Sequence, residues 1–114
     1  MEFKEYSDWQ ETTAFYPPIR KPDCLVAPDD QRRLTYTVLA LGGEAGELQN
    51  ELKKCIRDDA SFLTSSRANR MVDELGDVLW YVSAVAHELG VRLETVARMN
   101  QAKIDKRRHS QSSI

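Results

Sequence analysis

The chain is short of the residues that build many catalytic and structural motifs. It holds two cysteines and two histidines in 114 residues. Cys24 and Cys55 lie in dissimilar surroundings without metal-ligand spacing, so no cysteine-based metal site is expected. Both read as reduced thiols of a cytoplasmic protein. His87, between Ala86 and Glu88, has no ligand partner at helical spacing, and the paired Glu-x-x-His of a di-iron bundle is missing. Ser83 lacks the His and Asp company of a nucleophilic serine. Surplus positive charge is missing too. Sixteen Lys and Arg face eighteen Asp and Glu, a net charge of −2, which gives no general attraction to nucleic acid. The basic cluster Lys103, Lys106, Arg107 and Arg108 then reads as a solvated helix end. No apolar run approaches the ~20 residues of a membrane span. The opening MEFKEYSDWQ has no basic stretch followed by an apolar one, so no signal peptide is expected. Strand alternation and low-complexity tracts do not occur.

What remains is a chain of 30% charged and 41% hydrophobic residues, the composition of one soluble globular domain over 1–114. Its periodicity is helical throughout. A first helix is expected from about Glu5 to Phe15, with Tyr6, Trp9 and Thr13 on one stripe and Pro17-Pro18 as its stop. Ile19 to Asp29 reads as a loop. Asp29 or Asp30 caps a second helix whose stripe is Leu34, Val38, Leu41, Ala45, Leu48 and Leu52, fading at Arg57-Asp58-Asp59. Ser65 or Ser66 caps a third, with Met71, Leu75, Val78, Val82, Val85 and Leu89, closed by Gly90. Trp80 projects opposite that stripe. A helix apolar on two faces is buried on two, and in so small a chain the second face is expected to meet another subunit. A fourth helix runs from about Leu93 to Arg107, with a flexible tail from about His109. The fold class is all-α, a four-helix-type bundle completed as a homodimer or homotetramer.

Two acidic motifs interrupt the apolar helices: Glu44-Ala45-Gly46-Glu47 and Glu74-Leu75-Gly76-Asp77. Positions i and i+3 share a helix face, so each motif points two carboxylates one way. At roughly 100° per residue, Glu44, Glu47 and Glu51 gather on one flank of helix two. Glu74, Asp77 and Tyr81 gather on a similar flank of helix three. Convergent carboxylates repel one another and require a cation. An oxygen-only set suits Mg²⁺, with Mn²⁺ as a substitute, and magnesium commonly brings phosphates. Gly42, Gly43, Gly46 and Gly76 fall at these motifs, each costing a helix about 0.8–1 kcal/mol against alanine. Such a cluster implies close approach by a neighbouring helix, a metal shell or a ligand. On helix four the stripe is Leu93, Val96, Ile104 and, less centrally, Ala97, and Asn100 and Lys103 fall within it; a buried Lys calls for an anionic partner, and the alternative is a Lys that snorkels to solvent. Lys53, Lys54 and Arg57 can meet phosphates at the end of helix two. Trp9, Tyr16, Trp80 and Tyr81 can serve the core or stack on a base.

These residues resemble the MazG-type, all-α nucleoside triphosphate pyrophosphohydrolases, whose pattern is Glu-Glu-x-x-Glu, a spacer, then Glu-x-x-Asp. The chain shows Gly43-Glu44-Ala45-Gly46-Glu47-Leu48 and Asp73-Glu74-Leu75-Gly76-Asp77-Val78-Leu79-Trp80-Tyr81. Tyr6…Gln10…Thr13…Tyr16-Pro17, Lys53-Lys54…Arg57-Asp58 and Asn100…Lys103…Arg107 extend the likeness over nearly the whole chain. The resemblance implies that Glu44, Glu47, Glu74 and Asp77 bind Mg²⁺ while Asn100 and Lys103 hold phosphates. It also implies a dimer or tetramer that cleaves a (d)NTP to a (d)NMP and pyrophosphate. Gly43 stands where the pattern has its first Glu, as in relatives of the dCTP pyrophosphatase branch. The general base is therefore open among a metal-activated water, Glu44 or Glu47, and Glu51. Two other readings stay open: a phosphoribosyl-ATP pyrophosphohydrolase, which shares the fold, and a catalytically silent bundle that binds nucleotide or a protein.

Overall fold

The computed structural model describes residues 1–16 and 31–112. The proline stop at 17–18, the loop at 19–29, the cap at Asp29 or Asp30 and Cys24 lie outside the described residues. Among the described residues there are four helices and no strand: α1 (Phe3–Thr12), α2 (Gln31–Asp58), α3 (Ser65–Glu88) and α4 (Leu93–Ser112). The all-α class expected from the periodicity is what the chain adopts.

Helix α1 starts and stops earlier than expected. Its last turn is claimed by two threonines, because Thr12 Oγ1 donates to Trp9 O (2.7 Å) and Thr13 Oγ1 to Gln10 O (2.9 Å). Short hydroxyls of this kind compete with the backbone for helix carbonyls. The expected stripe is also rotated: Trp9 is 50% exposed, whereas Gln10 is 1% exposed and faces α3.

Helices α2 and α3 form an antiparallel hairpin with the largest interface in the molecule. The turn between them passes through Ala60 and Ser61, both at positive φ. It is held where Ser61 N donates to Cys55 O (3.2 Å), Phe62 N to Asp59 O (2.9 Å) and the buried Cys55 thiol to Phe62 O (3.1 Å). Thr64, rather than Ser65 or Ser66, caps α3: its Oγ1 accepts from Arg67 N at 3.1 Å. At the other end, Gly90 takes φ 75°. Gly90 N donates to His87 O and Val91 N to Ala86 O, both at 2.9 Å, a Schellman closure that requires a residue at ease in the left-handed region. Helix α4 continues past the expected Arg107 to Ser112, with Arg107, Arg108 and His109 near the end where cations suit the helix dipole.

The single chain buries little. Among the described residues the buried apolar side chains are Cys55, Ala84, Ala86 and Leu93. Part of each expected stripe stays open: Val38 and Leu52 on α2 and Leu75 and Leu89 on α3 are each about half exposed. The exposed apolar face of α3 runs through Val72, Leu75 and Leu79 rather than through Trp80, which is half-buried. On α4 the expected stripe holds only at Leu93; Val96 and Ile104 are partly open and Asn100 and Lys103 are exposed. Lys103 is thus not buried within this chain, because α4 packs only along one part of its length, against α1 and α3.

Candidate active site

Seven residues, two helical turns, separate Glu44 from Glu51 on α2 and Arg67 from Glu74 on α3. The antiparallel hairpin therefore presents two facing layers. In the layer near the turn opposite charges meet. Arg67 is buried and donates from Nη1 to Glu51 Oε2 (2.7 Å) and from Nε to Asp59 Oδ2 (2.9 Å). Hydrogen bonding from Arg67 holds the Glu51 carboxyl below its usual range despite desolvation, and Asp59 and Glu51 push the guanidinium up.

In the second layer like charges meet. One carboxylate oxygen each from Glu44, Glu74 and Asp77 lies within 4.8 Å of the others. Glu44 and Glu74 are half-buried and Asp77 is exposed. Desolvation first, then the charges of Asp77 and Glu47, push the Glu44 carboxyl up from 4.5. Glu74 is raised by desolvation and then by Asp77, Glu44, Glu47 and Glu51. Glu47 is exposed and stands outside the group of three, yet its charge reaches both. Ligand oxygens about 2.1 Å from one octahedral Mg²⁺ stand ~3–4 Å apart, so small side-chain rotations suffice for the three carboxylates to share a cation. The donor set fits a hard dication: all oxygen, mutually repelling, and without an ion pair to a basic side chain among the described residues.

A cavity of about 320 Å³ opens on this layer, lined by Glu44, Asp77, Trp80 and Tyr81. Desolvation and then the neighbouring Tyr36, Glu44 and Tyr16 raise the Tyr81 hydroxyl above 10.0. Tyr6 brings α1 to the same place, its hydroxyl raised by desolvation and by the Asp77 charge. A larger cleft of about 700 Å³ runs between α1 and α4, but its walls mix Glu2, Lys4, Glu5, Asp8, Glu94 and Arg98 without converging like charges. Of the two, the smaller borders the converging carboxylates.

The remaining sequence candidates sit elsewhere. Lys54 Nζ lies 3.8 Å from Glu51 Oε1, in the ionic layer, and Arg57 pairs with Asp58 through two bonds of 2.7 Å. Asn100 and Lys103 are exposed on α4 and do not line the 320 Å³ cavity. His87 is exposed, with Nδ1 3.0 Å from Glu11 Oε1. Beyond the adjoining residues and backbone of the same helix, nothing among the described residues comes within 4 Å of a Cβ built at Gly42, Gly43, Gly46 or Gly76. A neighbouring helix of the same chain therefore does not explain those glycines.

One participant, Arg67, escaped the sequence reading, and Trp80 was assigned to a different face. Arg67, seven residues before Glu74, carried a readable signal in that spacing. Trp80 was expected on an outer face. Instead it is half-buried within the chain, its Nε1 donating to Thr13 Oγ1 at 3.0 Å. Its position three residues after Asp77 puts it on the carboxylate flank.

Comparison with known proteins identifies the family of the chain. The MazG nucleotide pyrophosphohydrolase domain matches residues 32–111, which include all four helical acidic positions. The Gene 37 protein of Mycobacterium phage L5 is 40% identical over 96 residues, covering 84% of this chain and 79% of that protein. No solved structure matches the chain. No helix among the described residues is long and apolar enough to cross a membrane. With both motifs inside the matched span, the chain belongs to the MazG nucleotide pyrophosphohydrolase family.

Proposed function

We propose that the protein is a Mg²⁺-dependent nucleoside triphosphate pyrophosphohydrolase that converts a (d)NTP to a (d)NMP and pyrophosphate by attack of water at the α-phosphorus. The observation that carries this reading is the convergence of Glu44, Glu74 and Asp77 within 4.8 Å, on two helices whose register is pinned by the Glu51–Arg67 layer. Those three carboxylates, with Glu47 beside them, would hold magnesium, or manganese in its place. When bound, the ion would neutralise phosphate charge and acidify the attacking water.

The chain's own groups divide the remaining work. Glu51 is engaged by Arg67 and its carboxyl is held down, which makes it a weak proton acceptor. Glu47 is exposed and next to the three carboxylates, and its Oε atoms are the better placed acceptor for the proton of the attacking water. Glu44, whose carboxyl is raised, can serve the same role. Tyr81 lines the cavity beside the carboxylates and would meet the sugar. Asn100 and Lys103 are exposed on α4, which packs on α3, and would meet the β- and γ-phosphates, Lys103 offsetting charge on the leaving pyrophosphate. Lys54 and Arg57 lie in or beyond the ionic layer and assist from a distance. The open apolar residues of α2 and α3 support assembly as a homodimer or homotetramer.

The test is a panel of natural NTPs and dNTPs assayed for pyrophosphate with Mg²⁺, Mn²⁺ and EDTA. Metal-dependent pyrophosphate from at least one nucleotide is expected. Nucleotide binding without any turnover would instead favour the silent bundle, for which Gly43 at the first acidic position is the specific observation.

A further inference from the structure

We propose that Trp80 is the stacking surface for the heterocyclic base of the nucleotide, a role that rests on the function proposed above. The cavity's lining combines two chemistries, the carboxylates of Glu44 and Asp77 and the rings of Trp80 and Tyr81. A ligand that satisfies both carries cation-bound phosphate at one end and a flat, weakly polar group at the other. A nucleotide has that shape, and a bare polyphosphate or a sugar phosphate does not. Asp77 and Trp80 are three residues apart on α3, on one face with a rise of about 4.5 Å. A phosphate held beside Asp77 thus has the indole within the span of one sugar.

The indole is set in place before any ligand arrives. Its Nε1 donates to Thr13 Oγ1 at 3.0 Å, which ties it to α1. The Tyr81 ring stands 4.9 Å from it and the Tyr16 ring 6.3 Å, each at 76°. Tyr16 is braced in turn by Tyr36 at 5.6 Å and by Arg33, whose guanidinium carbon lies 4.9 Å from the Tyr16 centroid. Both rings meet Trp80 close to perpendicular, so neither occupies it as a parallel stacking partner. Trp80 is also only half-buried. A fixed aromatic plane with part of its surface open to a nucleotide-sized cavity is suited to stacking, which tolerates different bases because every base has a π-face. Discrimination among bases would then come from polar groups around this plane rather than from Trp80 itself.

The experiment pairs kinetics with fluorescence. In a Trp9→Phe protein, Trp80 is the sole tryptophan, and its emission should change saturably with deoxynucleoside monophosphates plus Mg²⁺ but not with 2-deoxyribose 5-phosphate. Trp80→Leu should raise KM for the preferred dNTP about 5- to 100-fold, with Trp80→Phe in between. Inhibition by imidodiphosphate, which has no base, should keep its wild-type constant. A folded Trp80→Leu enzyme with unchanged KM would overturn the stacking role alone and leave the hydrolase reading intact. So would equal emission changes with nucleotide and with sugar phosphate. Absence of turnover of every nucleotide by the wild-type protein would remove both. The fluorescence arm leaves Trp80 in place, so it decides the matter even where the leucine variant misfolds.

Discussion

Asp77→Asn separates repulsion from metal binding at one atom pair. The swap keeps volume and removes one charge from the group of three. Asp77 is the second cause, after desolvation, of the raised carboxyls of both Glu44 and Glu74. In EDTA the variant should therefore melt at or above the wild-type temperature. With magnesium the order should reverse. At about 2.1 cal/mol/K per residue, the 114 residues give an unfolding entropy of ~0.24 kcal/mol/K. Each tenfold rise in free Mg²⁺ above Kd adds about 1.4 kcal/mol per bound ion, a Tm slope of ~6 °C per decade. Asp77→Asn should flatten that slope in the millimolar range and lower kcat by at least about 100-fold. The pH dependence has a defined sign. Glu44 and Glu74 titrate above their unfolded value of 4.5, so their contribution to stability is present below 4.5 and is lost as pH rises through the raised values. Metal-free wild-type protein should gain stability from these groups as pH falls through the raised values toward 4.5, and less so in Asp77→Asn. The magnesium-induced rise in Tm should shrink over the same window, because protons compete for the ligands. Differential scanning fluorimetry over Mg²⁺ and pH, beside a pyrophosphate assay, reads all of this. A variant with the wild-type magnesium slope and most of its activity would refute the site.

Three further outcomes follow from the same layers. Arg67→Met leaves Glu51 and Asp59 without their buried cation; it should lower Tm by several degrees, and adding Glu51→Leu should restore part of the loss, whereas a wild-type Tm in the single variant would show that the ionic layer does not pin the hairpin. Lys103→Met, at an exposed position, should leave Tm nearly unchanged but raise KM for the triphosphate about tenfold, and unchanged kinetics would return Lys103 to the ordinary surface lysines. Leu75→Glu, on the open face of α3, should shift sedimentation toward the monomer; a wild-type protein already monomeric at micromolar concentration would remove the proposed oligomer.

The helices and both acidic motifs were legible in the sequence because period and charge placement are local properties. What faced inward was less so. Gln10, Thr37 and Ser83 are the largest fully buried side chains, and no hydropathy stripe would select them. Thr37 is tolerated inside because its Oγ1 donates to Arg33 O (2.9 Å) and Leu34 O (3.0 Å) of its own helix, and Ser83 meets Gln10 across to α1. These bonds depend on which helices meet, and that is a tertiary property. Glu51 looked like a third catalytic carboxylate on the wheel, since a wheel shows direction but not what stands opposite. The partner, Arg67, lies across the hairpin turn. Lys103 looked buried because periodicity assumes that an apolar stripe is covered along its whole length, and α4 of the single chain is not.

The central claim is that the doubled motif directs water to the α-phosphorus, and hydrolysis of the preferred dNTP in H₂¹⁸O with Mg²⁺ tests it most directly. Mass spectrometry of the products should find one ¹⁸O in the nucleoside monophosphate and none in the pyrophosphate, with no label transfer in EDTA or with Asp77→Asn. Label in pyrophosphate or orthophosphate, or products formed equally well without metal, would contradict it.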